Sequence, residues 1–314
     1  MSTKTEEVYR RILENCSRVI VGKEETITKL LITFLCGGHV LLEDVPGTGK
    51  TMLLRAFART VGGSFRRIQF TPDLLPSDIT GINFYNQKTG DFEFRKGPLF
   101  SNVVLADEIN RATPRTQSAL LEAMAERQVS VDGETRPLDE PFIVMATENP
   151  LESYGTFPLP EAQLDRFFMR LTLGYMTRED EISVMAGRDR EELIAELEPV
   201  ITPAEIQSIR EECRQVTVSD DCCDYIMDIV QATREDSQIT AGVSARGSIA
   251  LYKAARVRAS FEGRSFVIPE DIRALAADVL AHRIQTSGIG TARRTKEYFL
   301  RLLDGIAPPL EDRP

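Results

Sequence analysis

Apolar positions along this chain recur with two different periods, and the change from one to the other organises it. Residues 4–16 and 24–36 space their apolar side chains three and four apart, which predicts two amphipathic helices. His39 to Glu43 reads as a short buried strand that runs directly into a glycine-rich turn, and "TMLLRAFARTV" then resumes helical spacing. Strand, glycine turn, helix is the context a phosphate-binding loop requires. Further strand-length apolar bursts follow at Phe65–Phe70, Val103–Leu105, Phe142–Ala146 and Phe168–Leu173, separated by helical stretches such as "TPRTQSALLEAMAER". Strands alternating with helices predict an α/β domain, a mostly parallel sheet covered on both faces.

Beyond Leu173 the strand pattern stops and helical segments succeed one another to the end, from "REDEISVMAGR" to "TKEYFLRLLDGI". Thr202 and Ser219 are expected N-caps, and Pro203 and Pro269 expected first-turn residues. The reading is therefore an α/β domain over residues 1–176 and a smaller all-helical domain over 177–314. Two predicted hairpins interrupt the first. One spans about 82–97 around Lys88-Thr89-Gly90, and the other about 128–138 around Asp132-Gly133, a strong two-residue turn signal.

Composition narrows the partners. The formal net charge of −10 does not favour nucleic acid. The five cysteines lack metal-type spacing and read as reduced thiols, and the two histidines, His39 and His282, are too few for a histidine-based metal site. The N-terminus has no signal-peptide core, and the longest apolar run, "LLITFLCGGHVLL", is too short to span a bilayer, so a cytoplasmic protein is expected.

The candidate chemistry sits at the ends of the predicted strands. In "LLEDVPGTGKT", Gly47 and Gly49 allow close approach of the backbone to phosphate, Lys50 reaches the β and γ phosphates, and Thr51 offers a hydroxyl to Mg²⁺. The general pattern wants glycine at 44, where this chain has Asp44; that position flanks the strand and does not need close phosphate approach. "NVVLADEINRA" ends a strand in Asp107, suited to the Mg²⁺ shell, and Glu108, suited to polarising the attacking water. "FIVMATENP" delivers Thr147 and Asn149 to the same sheet edge, where a neutral amide can contact the γ-phosphate or the water. Arg166 in "LPEAQLDRFFMR" can supply transition-state charge from a neighbouring subunit. Arg246 opens a helix, where the dipole disfavours a cation unless an anion is near.

This ordered set, with "GVSARGSIALYKAARVRA" and "PEDIRALAADVLAHRI", closely resembles the MoxR branch of AAA+ ATPases from about Val19 to His282. The resemblance implies an ATP- and Mg²⁺-dependent ATPase with a three-layer αβα P-loop domain and a helical lid. It places the nucleotide against Val21, Gly22 and the stretch Pro46, Gly47, Thr48, Gly49, Lys50, Thr51 and Met52, with Thr51 and Asp107 at the metal. It makes Glu108 the base, Asn149 sensor 1, Arg166 the trans arginine finger and Arg246 sensor 2. It also implies an acidic residue at the position of Asp44 and, usually, glutamine where this chain has Glu148. A finger acting in trans is a head-to-tail contact, which closes into a ring, expected here to be a hexamer. The two hairpins would face the ring's pore, the lid would shift with the nucleotide, and the clients would be protein complexes that often carry von Willebrand factor A domains. A nucleic-acid motor or loader, a chelatase-type motor subunit and a nucleotide-gated binding module are the alternatives. The acidic balance weighs against the first and Glu108 with Arg166 against the last.

Overall fold

The computed structural model describes residues 3–43, 47–148, 156–287 and 291–309. Two helices, α1 (Lys4–Ser17) and α2 (Glu24–Leu35), precede β1 (Val40–Glu43) and α3 (Lys50–Thr60). Then come β2 (Phe65–Gln69), a short α4 (Pro76–Thr80), the hairpin β3 (Gly81–Asn86) and β4 (Asp91–Lys96), β5 (Val103–Asp107) and α5 (Pro114–Glu126). A second hairpin, β6 (Gln128–Val131) and β7 (Glu134–Pro137), leads to β8 (Ile143–Glu148), α6 (Glu161–Leu164) and β9 (Met169–Leu171). Five strands form one parallel sheet in the order β2-β5-β8-β1-β9.

The sheet's two faces follow from the period of two along each strand. Val40 and Leu42, Val103 and Leu105, Ile143 and Met145 all point to one core, shared with α1, α2 and α3. Leu41, Val104, Ala106, Val144 and Ala146 point to the other, shared with α4 and α5. His39 is buried at the foot of β1; its Nδ1 accepts from Val144 N (2.9 Å) and its Nε2 donates to Met124 O (3.0 Å). Burial pushes its imidazole down to about 4, so it stays neutral and acts as a core bridge between β8 and α5.

The helical part contains α7 (Arg178–Ala186), α8 (Arg190–Ala195), α9 (Pro203–Arg214), α10 (Asp220–Glu235), α11 (Ala245–Phe261), α12 (Pro269–Leu280) and α13 (Ala292–Asp304). Thr202 closes a capping box with Glu205, Ser219 accepts from Cys222 N, and Pro203 and Pro269 open their helices, all as their sequence positions predict. A two-residue ladder departs from the all-helical expectation. It pairs β10 (Ile239–Ala241) with β11 (Gln285–Thr286), too short to leave a periodic trace in the sequence. The core of this part is continuous with the first face of the sheet: a single buried cluster runs from Val8 to Leu303. Tyr9 of α1 stacks on Phe261 of α11 at 4.4 Å.

The two hairpins lie side by side. Asn83 donates to Asp132 (2.9 Å), and the Arg136 guanidinium sits 4.1 Å over the Phe94 ring. Asp132 and Gly133 both take positive φ, the two-residue turn their order predicts. Ile82, Phe84, Tyr85 and Phe92 remain exposed on the first hairpin.

Candidate nucleotide-binding site

Everything chemical gathers at the C-terminal edge of the parallel sheet, where an open α/β sheet places its ligands. Gly47 and Gly49 adopt φ of 86° and 89°, a region glycine enters without strain. The turn they make aims the N-terminus of α3 at a cavity of about 620 Å³ lined by Gly47, Thr48, Gly49, Lys50, Thr51 and Met52 from the loop. Arg67, Gln69, Asp107, Glu108 and Thr147 complete its wall. Backbone N–H groups and the helix dipole make such a terminus an anion site. Pro46 and Asp44 lie outside the described residues, as does Asn149 at the end of β8.

A second, more apolar pocket of about 220 Å³ shares Gly47, Thr48, Gly49 and Met52 with the first and extends to Ile20, Val21, Leu173, Met176 and Val184. Its size and lining suit a planar base. Gly22 stands next to it with φ of 68°, a left-handed conformation that favours glycine. Lys23 ties this strip to the chain leaving β9 by donating to Leu173 O (2.7 Å) and Tyr175 O (2.9 Å).

Asp107 is fully engaged. One carboxylate oxygen accepts from Thr147 Oγ1 (2.7 Å), the other from Arg67 Nη2 (2.6 Å) and Nε (3.1 Å). Glu108 follows with φ of 56°, uncommon for a residue with a side chain. Its N–H donates to Thr147 Oγ1 (2.8 Å), while its carboxylate accepts from Gln69 Nε2 (2.7 Å) and pairs with Arg111 (3.2 Å). Thr147 thus aligns both acidic residues from the neighbouring strand. Arg67 and Gln69 were not anticipated from the sequence. They alternate on the edge strand β2, and period two puts them on one face, which is the signal that could have found them.

Thr51 and Asp107 line the same cavity. One hydroxyl and one carboxylate, completed by phosphate oxygens and water, is a donor set that suits Mg²⁺, which does not need an all-protein cage. Among the described residues no group of three or more His, Cys, Asp or Glu is placed to hold a metal by itself.

Arg166 and Arg246 do not line this cavity. Arg166 is exposed and donates to Leu121 O of α5 (3.1 Å). Arg246, on the first turn of α11, faces Asp165 at 3.9 Å, and Ser244 donates to the same carboxylate (3.3 Å). Arg246 thus meets Asp165, the residue that immediately precedes Arg166 in the chain. A third, also unanticipated, is Arg283, whose side chain is almost fully buried. It donates to Asp165 O (2.8 Å), Phe167 O (2.7 Å) and Val279 O (2.8 Å) and pairs with the Asp165 carboxylate. His282 adds a bond to Phe167 O (3.0 Å). Both residues beside Arg166 are thus held by the helical part.

Glu148, half-buried at the end of β8, is pushed up from the usual carboxylate range by desolvation, with Arg170 opposing and Glu43 reinforcing the shift. Glu43 and Glu148 are register partners across β1 and β8, and Arg170 of β9 pairs with Glu43 at 3.0 Å.

Comparison with known proteins agrees with this architecture. The family described as ATPase family associated with various cellular activities (AAA) matches residues 39–169, and the AAA lid domain matches residues 231–297. Chaperone MoxR1 of Mycobacterium tuberculosis is 41% identical over 87% of this chain and 74% of its own length. YeaC of Bacillus subtilis is 52% identical over 87% and 86%, and MoxR of Paracoccus denitrificans 36% identical over 88% of each. A crystal structure of a Cytophaga hutchinsonii protein superposes with a TM-score of 0.85 at 41% identity, covering 95% of this chain and 94% of that one. With a P-loop sheet, a helical lid and relatives matched over most of both chains, the protein belongs to the MoxR family of AAA+ ATPases.

Proposed function

We propose that the protein hydrolyses ATP in a Mg²⁺-dependent reaction and uses it, as a hexameric ring, to remodel partner protein complexes such as those with von Willebrand A domains. The observation that carries the catalytic part is the convergence of the phosphate loop, Asp107 and Glu108 on one cavity that opens into an apolar pocket of base size. Val21, Gly22 and Met52 flank the base. The backbone from Pro46 to Gly49, with Lys50, holds the phosphates. Mg²⁺, when bound at Thr51 and Asp107, neutralises phosphate charge. Glu108 takes a proton from the attacking water, and Asn149 orients it. The division between the α/β part and the lid is placed near residue 176, between the end of β9 and the start of α7. The remodelling role is supported by the MoxR1 relative, which is named a chaperone, and by the exposed apolar residues of the first hairpin.

Arg166 lies outside the lining of the chain's own cavity, which supports its acting on a neighbouring subunit, with Arg246 adding charge as sensor 2. The test is complementation. Arg166→Ala keeps a working loop, and Lys50→Ala keeps a working finger. Mixed in common rings, confirmed by mass, they should turn over ATP faster than either alone. Mixed rings without recovered activity would remove the shared site. A finger arginine contributes roughly 10³ to 10⁵ in rate in GTPases, and a smaller factor is expected here because Arg246 adds charge.

A further inference from the structure

At the opposite end of β1 from the phosphate loop, α2, α9 and α11 line a small cavity of about 130 Å³. Its lining is Leu35 and Cys36 of the α2 end, Arg210, Cys213 and Arg214 of α9, and Lys253, Arg256 and Val257 of α11. Four of the eight lining residues are cations and none is a carboxylate, in a chain whose net charge is −10. Two of the four cations are already paired with carboxylates that do not line the cavity. Glu140 accepts from Arg210 Nη1 (3.0 Å) and pairs with Arg127, and Glu211 pairs with Arg214 (3.1 Å). Glu212 acts on the Cys213 thiol but does not line the cavity. Among the described residues neither the exposed Lys253 nor the half-buried Arg256 has an ion-pair partner; Arg256 rests against the Tyr252 ring at 5.5 Å. The Nε atoms of Arg210 and of Arg256 are buried without a hydrogen-bond partner, and the Arg210 side chain is only 9% exposed. Of the five arginine Nε atoms buried without an acceptor among the described residues, those of Arg210 and Arg256 alone belong to residues that line this cavity, and such groups are costly to leave unsatisfied.

The thiols are not that partner. Burial pushes Cys36 well above its ordinary range and Cys213 to about 11, despite the cations around them, so both stay protonated and supply no anion at neutral pH. The cavity holds about four waters at roughly 30 Å³ each. That is room for one tetrahedral oxyanion and too little for a nucleoside.

We propose that this cavity binds a phosphate-type oxyanion, held by Lys253 and Arg256 with Arg210 and Arg214 as the surrounding charge. The site is separate from the nucleotide cavity, since no residue is common to both linings. Cys36 precedes β1 and the phosphate loop follows it, with a strand of roughly 13 Å between them. Because α2 belongs to the sheet's covering layer and α9 and α11 to the lid, the anion bridges the two parts, and its occupancy stabilises their contact.

Titration calorimetry at fixed ionic strength tests this, with sodium phosphate and then sodium pyrophosphate as probes and sodium chloride as control. The phosphate loop is itself an anion site, so each titration is run with that loop filled by saturating ADP, and the full chain should then bind one further oxyanion per chain. Lys253→Gln/Arg256→Gln should bind at least about tenfold more weakly, since each lost charge-assisted bond is worth roughly that factor. In the same ADP background, saturating phosphate should raise the thermal midpoint of the parent chain and leave that of the double variant unchanged. An ADP titration of the double variant, unaltered, shows that its fold and nucleotide site persist, and Lys253→Ala alone serves if the double variant does not fold. Tighter pyrophosphate than phosphate binding assigns the site to a diphosphate end group, and equal binding to a single phosphate. Oxyanion binding within twofold of the parent in the double variant, loss of all binding once ADP fills the phosphate loop, or a chloride response as large as the phosphate response each overturns the proposal.

Discussion

Arg283→Met removes one guanidinium and strands its four closest acceptors, besides a longer bond to Phe168 O (3.4 Å). Val279 O, Asp165 O and Phe167 O lose bonds of 2.7 to 2.8 Å, and the Asp165 carboxylate loses its ion pair. Breaking a buried pair costs about 3 to 5 kcal/mol because the remaining charge is stranded. Asp165 keeps 25% of its side chain exposed and can rehydrate, which places the loss at the lower end, about 3 kcal/mol. At roughly 2 °C per kcal/mol for a chain of this size, the thermal midpoint should fall by about 6 °C. Arg283→Lys should recover little, since a point charge cannot replace a fork shared among three carbonyls. The second readout is turnover. Asp165 and Phe167 bracket Arg166, so loosening them should lower ATP turnover severalfold while nucleotide affinity, set at the chain's own loop, stays within twofold. Scanning fluorimetry and steady-state assays on the same samples decide it. A midpoint drop under about 2 °C with normal turnover would show that Arg283 neither holds this segment nor places the arginine within it.

Glu108→Gln keeps the size of the base and removes its proton acceptance, so ATP should still bind while turnover falls by about 10² to 10⁴; unchanged turnover would remove Glu108 from the reaction. Gln69→Ala frees one side of Glu108, held at 2.7 Å in this structure; basal turnover should rise by up to about tenfold, whereas a fall of that size would mean that Gln69 positions the base. For Glu148 the folded state favours the protonated carboxyl, so its charge costs stability above the raised pKa, and the cost disappears as pH falls below the unfolded value. Glu148→Gln should therefore be more stable than the parent near pH 8, with the difference vanishing toward about pH 4 in midpoint scans; a pH-independent difference would show that the carboxyl titrates normally.

What could be read in advance follows from how each element writes itself into the chain. The strands β1, β5 and β8 are fully buried, so they appear as unbroken apolar runs, and the glycines of the phosphate loop are dictated by backbone angles. Asp107 and Glu108 were legible because packing alone gives no reason for a buried strand to end in two adjacent acids. Arg67, Gln69 and Arg283 were not. Each is a single polar residue whose role depends on a partner 39 or more positions away, Asp107, Glu108 and Asp165 respectively. The short α4, α8 and the β10–β11 ladder were missed for a different reason. At five, six and two or three residues they complete less than two periods of any pattern.

The unbroken apolar cluster from Val8 to Leu303 has a consequence for how the chain comes apart. The boundary visible in the sequence, where strands give way to helices, is a change of pattern and not a line of weakness. Phe34, Phe57, Tyr225, Leu251 and Phe299 belong to one packed interior contributed from both sides of it. A cut at the seam would leave two torn apolar faces in place of two soluble halves. Heat or denaturant therefore meets one cooperative block, and the chain should melt in a single calorimetric transition with no surviving half.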